Sequence, residues 1–122
     1  YEFDGFRPGA YHYRDWVIRA LNSDLPFDKF VQMQLAGDLL QPDSIEGAAA
    51  TGFLVAGPYP GQITAKTVER IRYDQLDDMM MTIGGSMLGL TMGCVRCHEH
   101  KYDPVPHQDY YSIAAALAAV RG

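Results

Sequence analysis

Cys94, Cys97 and His98 form the most reactive arrangement in this sequence. They belong to the run Cys94-Val95-Arg96-Cys97-His98, which has the C-x-x-C-H spacing of c-type haem attachment. The spacing lets both thiols add to vinyl groups at one haem edge, and the adjacent imidazole then reaches the iron from the proximal face. Both cysteines of the chain lie in this run. The spacing therefore predicts one covalently attached haem c, with His98 as the proximal iron ligand.

Other chemistry uses the same residue types. Cys94 and Cys97 could form a disulfide or a thioredoxin-like redox pair, although a redox pair favours a βαβ setting that the sequence does not indicate. Zinc is the stronger competitor, because His100 and His107 could join the two cysteines as a set of four ligands. We favour haem attachment, and zinc and disulfide chemistry stay open as alternatives.

The second axial ligand of such a haem has several candidates. His107 follows a loop long enough to wrap the ring, and His12 lies beside the apolar stripe of a predicted helix. Met79, one of several methionines that precede the motif, is a third candidate. A thioether ligand would raise the reduction potential of the haem relative to a second imidazole. An iron with no second protein ligand also stays open.

His100 is a candidate of a different kind, because two residues span at most about 7 Å. It cannot easily pass from His98 to the opposite face of the same haem. It could ligate a second haem, bond a propionate, contact a partner or serve as a structural histidine packed against Asp103. Arg96 and Lys101 flank the motif and are expected to pair with haem propionates, unless they are ordinary solvated cations.

Composition predicts one small globular domain over residues 1–122. The chain is 48% hydrophobic and 20% charged, with a formal net charge of −5. The acidic balance argues against nucleic-acid binding and weakly favours a basic redox partner. No apolar run reaches the roughly 18 residues that a membrane span needs. The chain begins at Tyr1 without an initiator methionine, which suggests a piece of a longer exported protein.

Helical periodicity dominates the elements that would position these residues. Helices are predicted over residues 11–22, from Pro26 to near Gly37, from a cap at Thr64 through Ile83, and over residues 108–120. Residues 41–61 are expected to form a long loop rich in proline and glycine, with 51–56 as a short strand or apolar loop. The fold class is thus mainly α, a small helical haem c-binding domain with long Pro/Gly-rich loops. We expect the haem to contact residues 79–87 and the loop 41–61.

Longer stretches of the sequence resemble a known family. They are LDDM at 76–79, LGLT at 88–91 and GCVRCHEHKYDP at 93–104, together with YRDWVI at 13–18, QLAGDLL at 34–40 and ATGFL at 50–54. The chain resembles the planctomycete-type domain of unknown function found beside c-type cytochrome domains in large secreted proteins. The resemblance implies a periplasmic or extracellular location, haem attachment at Cys94, Cys97 and His98, and further sequence on both sides. Family genes often lie near sulfatases and polysaccharide-degrading enzymes, which is an association and not a mechanism.

Three functions compete at this point. The leading hypothesis is an electron-transfer module that serves a redox partner protein or a neighbouring haem domain. The second is a haem-dependent oxidoreductase linked to polysaccharide breakdown, and the third is a haem-stapled structural module that docks or assembles into a homo-oligomer. We lean away from an enzyme, because no acid–base constellation accompanies the motif. A second axial ligand favours electron transfer, and an open iron favours catalysis.

Overall fold

Helices make up the secondary structure of the computed structural model, which describes residues 6–120. No β-strand occurs within that range. The prediction of a mainly α fold is therefore confirmed. The described range divides into two compact units, an N-terminal unit of residues 6–56 and a C-terminal unit of residues 57–120. The assignment of residues 1–122 to one haem-binding domain stays a prediction.

The N-terminal unit contains α1 (Tyr11–Asn22), α2 (Phe27–Leu40), α3 (Ile45–Ala50) and a 3-10 turn (Thr51–Phe53). The predicted bounds of α1 are confirmed. Its core joins Trp16 to the small buried side chains Ala49 and Ala50 of α3. The Trp16 indole also stacks on the Phe30 ring of α2, with a centroid distance of 5.2 Å. The apolar face of α1 is thus covered by the other two helices.

Two glycines allow α2 and α3 to approach each other through their backbones. A Cβ on Gly47 would lie 2.5 Å from the carbonyl oxygen of Gly37, and a Cβ on Gly37 would lie 2.6 Å from that of Gly47. Real Cβ atoms do not come so near a backbone oxygen, so neither position has room for a side chain. The close crossing therefore explains why glycine stands inside both helices despite its low helix propensity.

The prediction of one continuous loop over residues 41–61 is wrong for its central part. Residues Ile45–Ala50 form α3, whose first turn is capped by the Ser44 hydroxyl accepting from the Gly47 N–H at 3.4 Å. Residues Thr51–Phe53 form a 3-10 turn and not a strand. The preceding helix also runs past Gly37 to Leu40, with a kink at Ala36. Side-chain capping and alanine content thus outweigh the proline and glycine content around them.

The C-terminal unit is built on α4 (Val68–Ile83) and α5 (His107–Leu117). The first helix starts later than the cap predicted at Thr64, because residues before it form a separate turn in which Thr67 accepts from the Thr64 N–H. The second ends earlier than residue 120. Four buried side chains, from α4, the segment between the helices, and α5, form one cluster: Met80, Met92, Val95 and Tyr110.

The α4 helix ends at Ile83, the end that the sequence predicted, and two glycines follow it. Residues Gly84–Leu88 form a π-helical turn, and Gly89 then adopts a left-handed backbone with φ of 68°. The Leu90 N–H donates back to the Gly84 carbonyl oxygen at 2.9 Å, which reverses the chain. A Cβ on Gly84 would collide with the Met92 side chain, so glycine lets the next segment pack directly on the helix end. This reversal places the C-x-x-C-H run beside α4.

Candidate cofactor-attachment site

Cys94 lies in a short 3-10 helix, Met92–Arg96, and Cys97 is the residue that caps the C-terminal end of this helix. Side chains three positions apart share a face of such a helix, because it has three residues per turn. Met92 and Val95 are buried together, with 4% and 0% of their surfaces exposed. Cys94 and Cys97 are exposed free thiols. The helix is therefore anchored through Met92 and Val95 and presents both thiols to solvent.

His98 follows this helix and is also exposed. The N–H groups of Cys97 and His98 both point back to the Cys94 carbonyl oxygen, at 3.3 and 3.4 Å, so the three groups share one tight turn. The His98 Nδ1 lies 2.7 Å from the Glu99 carbonyl oxygen. Because a carbonyl oxygen only accepts, Nδ1 holds the proton and Nε2 keeps a lone pair. His98 can thus ligate a metal through Nε2 while the backbone orients its ring.

Arg96 lies between the cysteines and ties the 3-10 helix to α4. Its Nη1 is 3.2 Å from an Asp74 oxygen and 3.3 Å from an Asp77 oxygen. Burial lowers the pKa of Arg96, but hydrogen bonds and charge attraction from the two carboxylates outweigh it and raise the pKa overall. The guanidinium is therefore charged and already paired, and a propionate would have to compete with both aspartates.

The tyrosines of α5 extend this network. Tyr110 is 3% exposed, and its hydroxyl donates to the second oxygen of Asp77 at 2.5 Å. Burial, followed by the Asp77 carboxylate, raises the pKa of Tyr110. The Tyr111 hydroxyl donates to the Arg96 carbonyl oxygen at 2.9 Å. The short helix that carries the thiols is therefore held to both long helices of its unit by hydrogen bonds.

His100 is engaged through both ring nitrogens. Its Nδ1 accepts the N–H groups of Tyr102 at 3.3 Å and Asp103 at 2.8 Å, and its Nε2 lies 3.1 Å from the Thr91 hydroxyl. An Asp103 carboxylate oxygen is also 3.4 Å from Nδ1, but a nitrogen that accepts two N–H groups has no proton to donate. We therefore assign the proton to Nε2, which donates to Thr91. The side chain is 7% exposed.

His107 begins α5 and has an unusual ring environment. Its backbone N–H donates to a Glu99 carboxylate oxygen at 3.0 Å, and its ring packs edge-on against Tyr111 with a centroid distance of 6.2 Å. Its Nε2 is buried and has no hydrogen-bond partner among residues 6–120. A buried polar atom without a partner calls for an explanation, and a ligand is one of the recognised ones.

The remaining predicted site residues have different surroundings. Met79 is 3% exposed and belongs to the buried face of α4. The Lys101 ammonium lies over the Tyr102 ring, 5.0 Å from its centroid. His12 is exposed on α1 of the N-terminal unit, with its ring 4.1 Å from that of Tyr11. Their roles toward a haem stay predictions.

The zinc alternative requires four ligands in one place. Within residues 6–120, no group of three or more histidine, cysteine, aspartate or glutamate side chains is gathered closely enough to hold a metal ion. The set Cys94, Cys97, His100 and His107 is thus not assembled as a tetrahedral site. Zinc binding would need one or more of these side chains to move.

A cleft of about 330 Å³ lies next to the 3-10 helix. Its lining residues come from α4, the motif and α5, and half of them are tyrosines: Tyr73, Leu76, Arg96, Tyr110, Tyr111 and Ala114. Neither motif cysteine is among these lining residues. The thiols therefore do not open into this cleft.

The link from Asp77 to Arg96 and Tyr110 is the functional feature that sequence reasoning missed. From the sequence alone, the acidic pair of Asp77 and Asp78 indicates a solvated helix face or salt bridges to Arg70, Arg72 or Lys101. The observed partner of Asp77 lies inside the C-x-x-C-H run. The sequence did contain one signal of this pairing, which is the position of Arg96 between the two cysteines. A half-buried guanidinium needs a carboxylate nearby to balance its charge.

The fold and site define a mainly helical protein whose surface turn presents two thiols and one imidazole. The sequence model of the PSCyt2 family, described as a protein of unknown function (DUF1549), matches residues 1–122, and the chain belongs to this family. The expected resemblance to a domain of unknown function is confirmed at that level, whereas the link between C-x-x-C-H and haem stays a prediction. No curated protein and no solved structure matches the sequence. Along residues 6–120, no helix has both the length and the apolar character needed to cross a membrane.

Proposed function

We propose that this chain carries one haem c, attached through thioether bonds at Cys94 and Cys97, with His98 as the proximal iron ligand. We further propose that it acts as an electron-transfer module. Each thiol adds its S–H across one haem vinyl group, so that two C–S bonds form and no atom leaves. When bound, the haem iron supplies reversible one-electron exchange.

One observation carries this proposal. Cys94 and Cys97 are exposed free thiols within the same turn as His98, whose Nδ1 is fixed by the Glu99 carbonyl oxygen. Attachment requires two reduced and accessible thiols, and ligation requires an imidazole with a lone pair on Nε2. The free and exposed thiols of Cys94 and Cys97 and the lone pair on His98 Nε2 meet these two requirements. The donor set therefore fits the group.

Electron transfer is favoured over catalysis by the surroundings of the attachment groups. All three lie at the surface of the C-terminal unit, where a protein partner can approach closely. The neighbouring titratable groups are occupied in holding the motif, since Asp77 binds both Arg96 and Tyr110. The formal net charge of −5 suits a basic redox partner. Covalent haem attachment also implies export to the periplasm or beyond.

The second axial ligand that we favour is His107. Its buried Nε2 has no hydrogen-bond partner in the described part of the chain, whereas the thioether of Met79 belongs to the packed face of α4. A nitrogen that lacks a hydrogen bond gives up none when it binds a metal, but removing a buried methionine from a core costs packing energy. His12 in the N-terminal unit remains a further candidate.

Visible spectroscopy of the full chain, exported by cells that mature c-type haem, tests the attachment. Denatured in alkaline pyridine, the wild type should show the haem band of two thioethers. Cys94→Ala and Cys97→Ala should each show the longer-wavelength band of one thioether, and the double variant should lose the haem on denaturation. A wild type that releases free haem or none at all would overturn the proposal.

The native spectrum tests the role. Redox titration should follow a one-electron curve, and the oxidised iron should be low-spin and slow to bind cyanide. His107→Ala should turn high-spin, while the volume-conserving Met79→Leu should not. A wild type that is high-spin and binds cyanide or peroxide quickly would favour the oxidoreductase alternative instead.

A further inference from the structure

We propose that His100 is a positioning residue that closes the backbone into a ring around the C-x-x-C-H motif and so sets the orientation of His98. The ring runs from Thr91, before the first cysteine, to Asp103, after the motif. The inference deepens the haem site proposed above and rests on it. We call the hydrogen bonds of the His100 ring to Thr91, Tyr102 and Asp103 the clasp. In this proposal His100 acts through these bonds and does not ligate the metal.

The clasp has contacts on both sides of the motif. On one side, Nε2–H of His100 donates to the Thr91 hydroxyl at 3.1 Å. On the other side, Nδ1 accepts the N–H groups of Tyr102 and Asp103. The His100 side chain is 7% exposed, and the bond from the Asp103 N–H is partly buried, whereas the bonds to Thr91 and Tyr102 lie at the surface. A side chain held at both nitrogens can ligate iron only by giving up one of these bonds.

The clasp reaches His98 through one peptide group. The carbonyl oxygen of Glu99 accepts the His98 Nδ1–H at 2.7 Å. The same peptide group ends in the His100 N–H, which donates to the Val105 carbonyl oxygen at 3.1 Å. Because a peptide group is planar, fixing residue 100 fixes the direction of the Glu99 carbonyl. His100 therefore controls the orientation of the His98 ring without touching it.

Positioning of this kind has a measurable consequence. The tautomer and ring plane of a proximal histidine depend on the bond that its second nitrogen makes. The basicity of that ligand and the low-spin signals of the iron change with the bond. A weaker clasp should therefore alter the reduction potential and the EPR g-values of the attached haem, beyond any change in stability.

Two pairs of variants separate the halves of the clasp. Thr91→Val removes the hydroxyl with little change in shape, and Thr91→Ser restores a hydroxyl. His100→Asn keeps an acceptor oxygen near the place of Nδ1 but is too short to reach Thr91. His100→Gln can reach Thr91 but loses that acceptor. Thr51→Val is the matched control, because it removes a surface hydroxyl bond of 2.9 Å in the N-terminal unit.

Hydrogen exchange in the full chain reports on the clasp without using the haem. Thr91→Val and His100→Gln should each speed exchange at the Tyr102 and Asp103 amides about three- to tenfold, the effect of one ordinary hydrogen bond. In the haem-loaded protein both variants should shift the EPR g-values and the potential, and Thr91→Ser should return them to the wild-type values. Thr91→Val combined with His100→Asn should be no worse than either alone, since both remove the same bond.

The results distinguish this inference from the attachment itself. If the haem is attached but the Thr91 and His100 variants change stability alone, with potential and g-values equal to those of Thr51→Val, His100 is merely structural and the inference is overturned. If His100→Asn and His100→Gln both become high-spin while Thr91→Val does not, His100 is an iron ligand and the inference is again overturned. If the wild type carries no covalent haem, the proposed function fails first and the positioning role falls with it.

Discussion

Asp77 joins two side chains that the linear sequence keeps far apart. One of its oxygens lies 3.3 Å from the Arg96 guanidinium and the other accepts the Tyr110 hydroxyl. The carboxylate side chain is 16% exposed, so its charge is compensated mainly by protein groups. Asp77 therefore links the motif helix, through Arg96, to a buried tyrosine of α5, in addition to the separate bonds that Asp74 and Tyr111 make to Arg96.

Replacing Tyr110 by phenylalanine should change how stability depends on pH. Its folded-state pKa is raised by burial and by Asp77, so the folded chain keeps the proton after the unfolded chain has lost it. The stabilisation is complete below about pH 10, the ordinary tyrosine pKa, and is lost as the pH rises further. Urea unfolding should show a steeper alkaline loss for the wild type than for Tyr110→Phe. Near neutral pH the variant should be about 1 kcal/mol less stable.

Tyr102→Phe is the control for that experiment, because Tyr102 is 81% exposed. It should leave the alkaline slope of the wild type intact. Equal slopes for the wild type and Tyr110→Phe would show that the Tyr110 hydroxyl is not held by Asp77.

At the scale of single residues, the reactive side chains could be predicted from the sequence, but the hydrogen bonds and ion pairs that hold them in place could not. Cys94, Cys97 and His98 were recognisable because their spacing is local. The bond from Arg96 to Asp77 joins residues 19 positions apart, and no local pattern encodes such a pairing. The hydrogen bonds of His100 were half foreseen, since Asp103 was expected as a neighbour while Thr91 was not.

The 3-10 helix is the element on which the site depends, and Val95 is its anchor. Val95 is 0% exposed although it stands between the two cysteines. Val95→Thr keeps the shape but buries a hydroxyl, and should cost about 1–3 kcal/mol of unfolding free energy. Val68→Thr, on a residue that is 50% exposed, should be nearly neutral. Equal effects in chemical denaturation would contradict an anchoring role for Val95.

At the crossing of α2 and α3, we expect a glycine-to-alanine substitution to lower stability, although the same substitution usually stabilises a helix. Alanine usually stabilises a helix relative to glycine by about 1 kcal/mol. Gly47→Ala should instead destabilise by about 1–3 kcal/mol, since its Cβ would lie 2.5 Å from the Gly37 carbonyl oxygen. Gly85→Ala is the control, because within residues 6–120 an added Cβ there has no atom within 4 Å apart from its chain neighbours and the backbone of its own helical turn. Thermal unfolding that shows Gly47→Ala to be as stable as the wild type would refute the close crossing.

Helices with a clear apolar stripe were predictable, and α3 was not. The run IEGAAA has one large apolar residue, so it lacks the periodicity that identified α1 and α4. Prolines and glycines on both sides made it look like part of a loop. Its helical state depends on the Ser44 cap and on tertiary contacts with α2. Only the cap can be recognised in the local sequence, because it joins residues three positions apart.

At the scale of the whole molecule, charge should govern the approach of a redox partner. The formal net charge is −5, and attached haem propionates would make it more negative. Electron exchange with a cationic reagent should therefore slow as ionic strength rises, whereas exchange with an anionic reagent should accelerate. Stopped-flow absorbance with both reagents measures this. Identical salt dependence for the two would exclude electrostatic steering by this surface.

The central claim is that Cys94 and Cys97 hold a haem covalently. Intact mass spectrometry of the unfolded, exported full chain tests it most directly, because unfolding removes any group that is not covalently bound. The wild type should have the mass of the polypeptide plus one haem, and the variant with both cysteines changed to alanine should have the bare mass. A wild-type chain of bare polypeptide mass, or of that mass less the two hydrogens lost in a disulfide, would contradict the account.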